Sequence, residues 1–263
     1  DLENGKVNFI GDIEKRIKED YLRILRYIRF YLNYSKQPHN LKTIKLLKMN
    51  IDGVSKLSKE RLLSELKKIV NTDILEKLST DSLSLNLILM IFPELKNISV
   101  FSKLNIIKKN LLKDKDFIFL LSLMIIDETD NSDYFIYKYN LSKKHQKRIK
   151  DIDNFYKEKI NSKTFTKNNI NKIFYFYGKE ATLDILNYRV IKLKKIDNSF
   201  LELIKYYENN IVPTMPVSAD LLMKKYEIPE GKQLGEKLRI IEKEWVKNNF
   251  KISDQEVDNI VNN

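Results

Sequence analysis

Residues 19–30, Glu-Asp-Tyr-Leu-Arg-Ile-Leu-Arg-Tyr-Ile-Arg-Phe, set an acidic pair ahead of arginines at every third position. An ionised aspartate only accepts hydrogen bonds, and a guanidinium only donates them. On a helix opening at Asp20, that residue and Arg23 lie on neighbouring rows of the surface. Cytosine and adenine each present an amino donor beside a ring-nitrogen acceptor, whereas uracil and guanine present a carbonyl beside an N–H. A fixed acceptor–donor pair therefore takes C and A and leaves buried groups unpaired against U and G. The same spacing also describes an exposed ion pair with Asp20 as helix N-cap. The residues alone leave both readings open.

Each three-residue step drifts by about 60° around the helix. Arg26 can still reach a ligand beside Arg23, while Arg29 lies nearly opposite Asp20 and is expected to brace a neighbouring helix or a phosphate. Glu19 is expected to orient Arg23, or else to be a carboxylate favoured by the helix dipole. Two further acidic pairs, Asp114/Asp116 and Asp151/Asp153, have the D-x-D spacing of metal-dependent phosphoryl transfer. On a strand both carboxylates would face one side, but a helix turns them about 200° apart. They are read as solvated carboxylates, and no metal ligand is assigned in this chain. Cysteine is absent, which excludes disulfides and thiolate sites. Two histidines, His39 and His145, are too few and too distant for a histidine metal site.

The elements that must carry these residues read as helices. Only 6 Gly and 5 Pro occur in 263 residues, while Leu, Ile, Lys and Glu abound. Asn4-Gly5 and the alternation Val7 to Ile10 suggest a turn and a short strand over 1–11. Helices are expected from about Asp20, over Leu41 to Met49 ending at an Asp52-Gly53 turn, and after a Ser58 cap with Glu60 in the first turn. Residues 83–92 and Phe117 to Ile126 are apolar nearly all round, implying buried helices. Asp127 to Asp133 reads as a polar loop. Leu141 to Tyr156 is a basic amphipathic helix, and two more helices meet near Gly178. The prolines of Val212 to Pro216 mark a hinge. Tyr175, Phe176 and Tyr177 are expected in the core, with stacking on a base as the other reading.

With 48 basic against 36 acidic residues the chain carries +12, which favours polyanionic partners. Lys143, Lys144, Lys147, Arg148 and Lys192, with Lys150, Lys194 and Lys195 near them, are the candidate phosphate contacts. A solvated lysine face explains any one of them equally well. The longest apolar run is far short of the roughly 20 residues of a membrane span. No signal peptide is visible, so a cytoplasmic location without membrane contact is expected. Asp1 in place of methionine is expected of a fragment or a processed chain.

The opening stretch, with Phe9-Ile10-Gly11-Asp12 and Arg16-Ile17 leading in, resembles the E-D-x-x-R motif of class II tRNA nucleotidyltransferases. That family comprises CCA-adding enzymes and bacterial poly(A) polymerases. Val54 to Leu62 with Glu65-Leu66 is similar to its L-S-x-E-R-I-x-x-E-L segment. Leu141-Ser142 and Tyr177 to Ala181 with Asp184-Ile185-Leu186 look like its body; Pro216 to Leu221, Ile228 to Gly235 and Glu242 to Trp245 look like its tail. Ser218 stands where the family usually has glycine.

The resemblance implies an all-α, elongated array: 1–11 a remnant of the catalytic head, 12–75 a nucleotide-selecting neck, 76–195 a body and 196–263 a tail. It implies nucleotide contacts from Glu19, Asp20, Arg23, Arg26 and Arg29, and a neck buttressed by Glu60 and Arg61. CTP and ATP would be substrates, tRNA the partner and Mg²⁺ a cofactor of the complete enzyme. The head, with its metal-holding carboxylates, would lie on another chain, be lost or have been cut away, leaving this one inactive alone. A poly(A) polymerase portion and a non-enzymatic helical RNA-binding module are the alternatives.

Overall fold

Aspartate, asparagine and serine punctuate this chain, and nearly every helix begins at one of them. A short polar side chain at the N-cap accepts an otherwise unpaired backbone N–H of the first turn. Asp12, Asn40, Ser58, Asn71, Asp81, Asn105 and Asp116 each do so. The protein's structure, a computed structural model, describes residues 4–157 and 165–262. Among these the regular elements are all helical.

The chain divides into two compact units, the first comprising Asp1–Lys157 with Ile191–Leu193. It holds α1 (Ile13–Glu19), α2 (Arg23–Tyr34), α3 (Leu41–Met49), α4 (Lys59–Ile69), α5 (Thr72–Thr80) and α6 (Ser82–Ile91), then α7 (Ile106–Leu112), α8 (Phe117–Ile125), α9 (Asn131–Lys138) and α10 (Lys143–Lys157). Short 3-10 turns at Ile51–Lys56 and Ile98–Lys103 join the set. α2 packs against α1, α4 and α5 through Ile24, Leu25, Ile28 and Leu32, all buried. α8 is the centre of its neighbourhood: every residue from Ile118 to Ile125 is buried. α6 is less enclosed than its apolar run suggests, since Met90 is exposed.

The second unit comprises Glu158–Val190 and Lys194–Asn263. α11 (Lys167–Lys192) breaks at Gly178, where φ is 86° and ψ 175°, so glycine's freedom at positive φ is needed there. α12 (Asn198–Asn209) seats Tyr207 against Phe174 of α11 at 4.8 Å, and the Tyr207 hydroxyl donates to Asn171 at 2.6 Å. α13 (Ala219–Tyr226), α14 (Lys232–Lys247) and α15 (Asp254–Asn262) close around Val217, Leu222, Ile228, Leu234, Ile241 and Val257.

Four expectations need correction. Val7 to Phe9 forms no strand, because no neighbouring strand supplies hydrogen bonds among the described residues. Gly5 instead accepts the Lys36 N–H at 2.9 Å, and Phe9 stacks on Tyr27 with centroids 5.7 Å apart. Asp20 does not open a helix: it ends α1 in extended conformation, and α2 starts only at Arg23. The loop after Asp127 is short, since α9 begins at Asn131, whose buried amide donates to the Glu94 and Ile125 carbonyls at 2.9 and 2.7 Å. Phe176 and Tyr177 are outside the core, each 55% exposed.

One packing contact fixes the turn between α1 and α2. A Cβ on Gly53 would lie 2.0 Å from the Tyr21 ring, so that ring sits directly on the glycine. Gly53→Ala should therefore destabilise the fold by about 1–3 kcal/mol, the usual cost of overpacking. Tyr21→Ala in the same background should recover part of the loss. Denaturant midpoints of the two variants decide this, and an unchanged midpoint in Gly53→Ala would contradict it.

Candidate functional site

α1 and α2, joined through Asp20, Tyr21 and Leu22, form one wall of a cleft of ≈ 300 Å³, and the segment Val7 to Ile10 forms the other. Arg16 of α1 and Arg23 and Arg26 of α2 line it, together with Phe9, Tyr27 and Phe30. The volume is at the lower end of that of small-molecule sites. Donors and π-faces dominate the lining, and such a lining suits a planar molecule with an anionic tail.

The charges around the cleft include the expected Glu19–Arg23 contact and add partners that spacing does not show. Glu19 accepts from Arg16 at 2.8 Å and lies 3.6 Å from Arg23. Asp20 lies 3.7 Å from Arg26, and Arg61 of α4 donates to both its oxygens at 3.0 Å. The Leu22 N–H, 3.1 Å from Asp20 Oδ1, completes the hold on this carboxylate. Arg23 thus faces Glu19, and its Nε is buried without a hydrogen-bond partner. Arg29 turns away from the cleft. Its Nε donates to the buried Glu65 carboxylate at 2.5 Å, its guanidinium covers the Phe30 ring at 4.4 Å, and Lys68 reaches Glu65 at 3.2 Å.

Of the five candidate residues, the structure brings Arg23 and Arg26 to the cleft, pairs Glu19 and Asp20 with arginines of its lining without placing either in that lining, and sends Arg29 into the α2–α4 packing. Arg16, Phe9, Tyr27 and Phe30 were missed as wall residues. Arg61 and Glu65 carried a signal: four apart on a helix, they share a face, and that face meets α2. The carboxylates here do not suit a divalent cation, because Glu19 and Asp20 already lie against guanidinium groups. Among the described residues no three His, Asp or Glu side chains cluster as metal ligands.

Of the D-x-D carboxylates, all read as solvated, Asp114 and Asp116 are exposed, but Asp153 is buried, which corrects that reading. Asp116 caps α8 and pairs with Arg148 at 2.5 Å; burial pushes its carboxyl up, but the Phe119 N–H and Arg148 hold it below the usual range. Asp153 is buried, bonded to Ser132 and to Lys157 at 2.9 Å. Of the basic candidates, Lys143, Lys144 and Lys147 are exposed on α10, Lys150 pairs with Asp133 at 3.2 Å, and Arg148 is half-buried in its pair with Asp116. Lys192 is half-buried too, and burial pushes its ammonium down. Lys194 and Lys195 are exposed in the second unit.

No protein-family profile matches the chain. It is 29% identical over 264 residues to the mitochondrial CCA tRNA nucleotidyltransferase 1 of Mus musculus, covering 98% of this chain and 58% of that protein. It is 26% identical over 257 residues to the CCA-adding enzyme of Streptococcus uberis, covering 92% of this chain and 59% of that one. The chain is a relative of the CCA-adding enzymes. A crystal structure of the Bacillus stearothermophilus CCA-adding enzyme in complex with CTP shares the fold, with a TM-score of 0.60 and 18% identity over 92% of this chain and 61% of that one. The relationship runs over most of the chain, which spans about three-fifths of these relatives. No described helix is long and apolar enough to cross a membrane.

The two ion pairs made by α4 should differ sharply when broken. Glu65→Ala leaves Arg29 facing a low-dielectric packing and should cost about 3 kcal/mol, as removal of one buried partner does. Arg61 is 47% exposed at its side chain, so Arg61→Ala should cost less than about 1 kcal/mol. Urea unfolding of both variants measures the contrast; equal losses would contradict it.

Proposed function

We propose that this chain supplies the nucleotide-selecting and tRNA-docking portion of a CCA-adding enzyme, with phosphoryl transfer carried out by a catalytic head domain outside these 263 residues. The observation that carries the reading is the cleft itself. Three arginines line it beside aromatic rings, and Asp20, an acceptor, lies 3.7 Å from one of them, Arg26. Donors from arginine and an acceptor from aspartate complement the edges of C and A and not those of U and G. The chemistry named in its relatives, CCA addition and a bound CTP, uses these two bases.

On this reading protein side chains act as the template, and Arg23 supplies the donor that distinguishes the permitted bases. The exposed lysines of α10 offer phosphate contacts to the tRNA backbone, which carry affinity without sequence information. Mg²⁺ would be held by carboxylates of the head, since those of the cleft are engaged by arginine.

The test joins the chain to a head domain and measures single-nucleotide incorporation of all four NTPs on a truncated tRNA. Arg23→Ala should lose hydrogen bonds to a charged donor, about 1.5–3 kcal/mol, or roughly tenfold to a hundredfold in C and A addition, with weaker rejection of U and G. Lys147→Ala should weaken tRNA binding and leave base choice intact. The isolated chain should bind tRNA with a steep salt dependence and add nothing. Wild-type rate and selectivity in Arg23→Ala would remove the template role. Addition of A alone by the joined enzyme would favour the poly(A) polymerase alternative, and tRNA binding with no gain of activity on joining would favour the RNA-binding module.

A further inference from the structure

Behind the cleft lies a buried polar chain that the reading above does not use. His39 follows α2, and its side chain is 1% exposed. Its ring stacks on Tyr31 with centroids 3.4 Å apart. Nδ1 is 3.1 Å from the Tyr27 hydroxyl, and Nε2 is 2.9 Å from Asp81 Oδ2 and 3.0 Å from Ser84 Oγ. Tyr27 in turn lines the cleft and stacks on Phe9 at an interplanar angle of 15°.

Counting donors fixes the direction of each bond. Burial pushes the Asp81 carboxyl up, but hydrogen bonds from Ser84 and His39 hold it below the usual range, so it is ionised and only accepts. Nε2 of His39 therefore donates to Asp81, and in the neutral ring Nδ1 is the acceptor. Burial pushes the Tyr27 phenol up to about 12, so it keeps its proton and donates to Nδ1. α6 does not need His39 for its own cap, because the Ser84 N–H already reaches Asp81 at 3.0 Å. The ring's specific contribution is thus to hold the Tyr27 oxygen in place, at the far end of the ring on which Phe9 rests.

We propose that His39 is a positioning residue of the nucleotide cleft, using Nδ1 to hold the Tyr27 ring and its Phe9 neighbour in the orientation that receives the nucleotide. This rests on the nucleotide reading. Asp81 fixes the imidazole tautomer, so a group outside the cleft sets the shape of its wall.

Two substitutions split the two edges of the ring. His39→Asn puts an amide oxygen near the place of Nδ1, keeping the acceptor for Tyr27 and losing the donor to Asp81. His39→Gln can keep the donor to Asp81 and loses that acceptor. CTP is titrated into each variant of the full 263-residue chain, with NMR signals of Asp20 and Arg23 as reporters. His39→Gln and Tyr27→Phe should each raise the Kd by about two- to tenfold, the worth of one neutral hydrogen bond. His39→Asn should raise it by less than about twofold, and the His39→Gln/Tyr27→Phe double variant should bind no more weakly than either single one. The denaturation midpoint of His39→Asn should fall further than that of His39→Gln, since the bond it loses is to an ionised carboxylate. CTP affinity that tracks those midpoints, or stays unchanged in His39→Gln and Tyr27→Phe, overturns the positioning role and leaves the nucleotide reading standing. No response of Asp20 or Arg23 to CTP in the parent chain overturns the nucleotide reading, and the positioning role falls with it.

Discussion

Asp20, Tyr21 and Leu22 separate two helices, and the cleft exists only because that turn is held. Local hydrogen bonds such as that from the Leu22 N–H to Asp20 shape the turn itself, but the side chains of Asp20 and Tyr21 are held from outside it. α4 and the 3-10 turn before it supply the hold. Arg61 grips the Asp20 carboxylate at both oxygens, and Gly53 lets the Tyr21 ring settle against backbone. Arg29 and Glu65 then lock α2 to α4 on the far side. The arginines of the cleft are therefore displayed by two helices whose mutual geometry is set by a third.

Charge runs through this arrangement at every level. A buried carboxylate is costly unless it is paired and hydrogen-bonded. Glu65 and Asp153, both nearly inaccessible, each have cationic or hydroxyl partners. Lys138 serves the buried Glu94 in the same manner, at 2.7 Å. The excess of basic residues that first suggested a polyanionic partner thus divides in two. One part neutralises carboxylates inside the first unit, and the exposed lysines of α10 remain for solvent or phosphate.

Much of the helical framework was legible because helices announce themselves locally. α3 runs over Leu41–Met49 as read, since Asn40 caps it at one end and the 3-10 turn follows at the other. α8 was visible as an apolar block. α1 was not, because its seven residues bury only Ile17 and show no stripe. The failed strand illustrates the converse, for alternation marks a strand only when another strand pairs with it. Tyr175, Phe176 and Tyr177 could have been read better: successive helical positions lie about 100° apart, so three in a row cannot all face one core. The cleft needed contacts between residues 41 and 36 positions apart, and periodicity on each helix says nothing of which helix meets which.

Asp20 also has an acceptor balance that bears on how any ligand would meet it. A carboxylate offers about four lone-pair sites. Arg61 draws on both oxygens, and the Leu22 N–H draws on one of them again. With three of those sites taken, about one is left for an N–H donor such as an exocyclic amino group, and a second such donor would have to take over a bond from Arg61. The half-exposed Arg61 side chain can yield it to water at little cost. On the proposed reading, a ligand that donates once would share this carboxylate with Arg61, and one that donates twice would have to displace it.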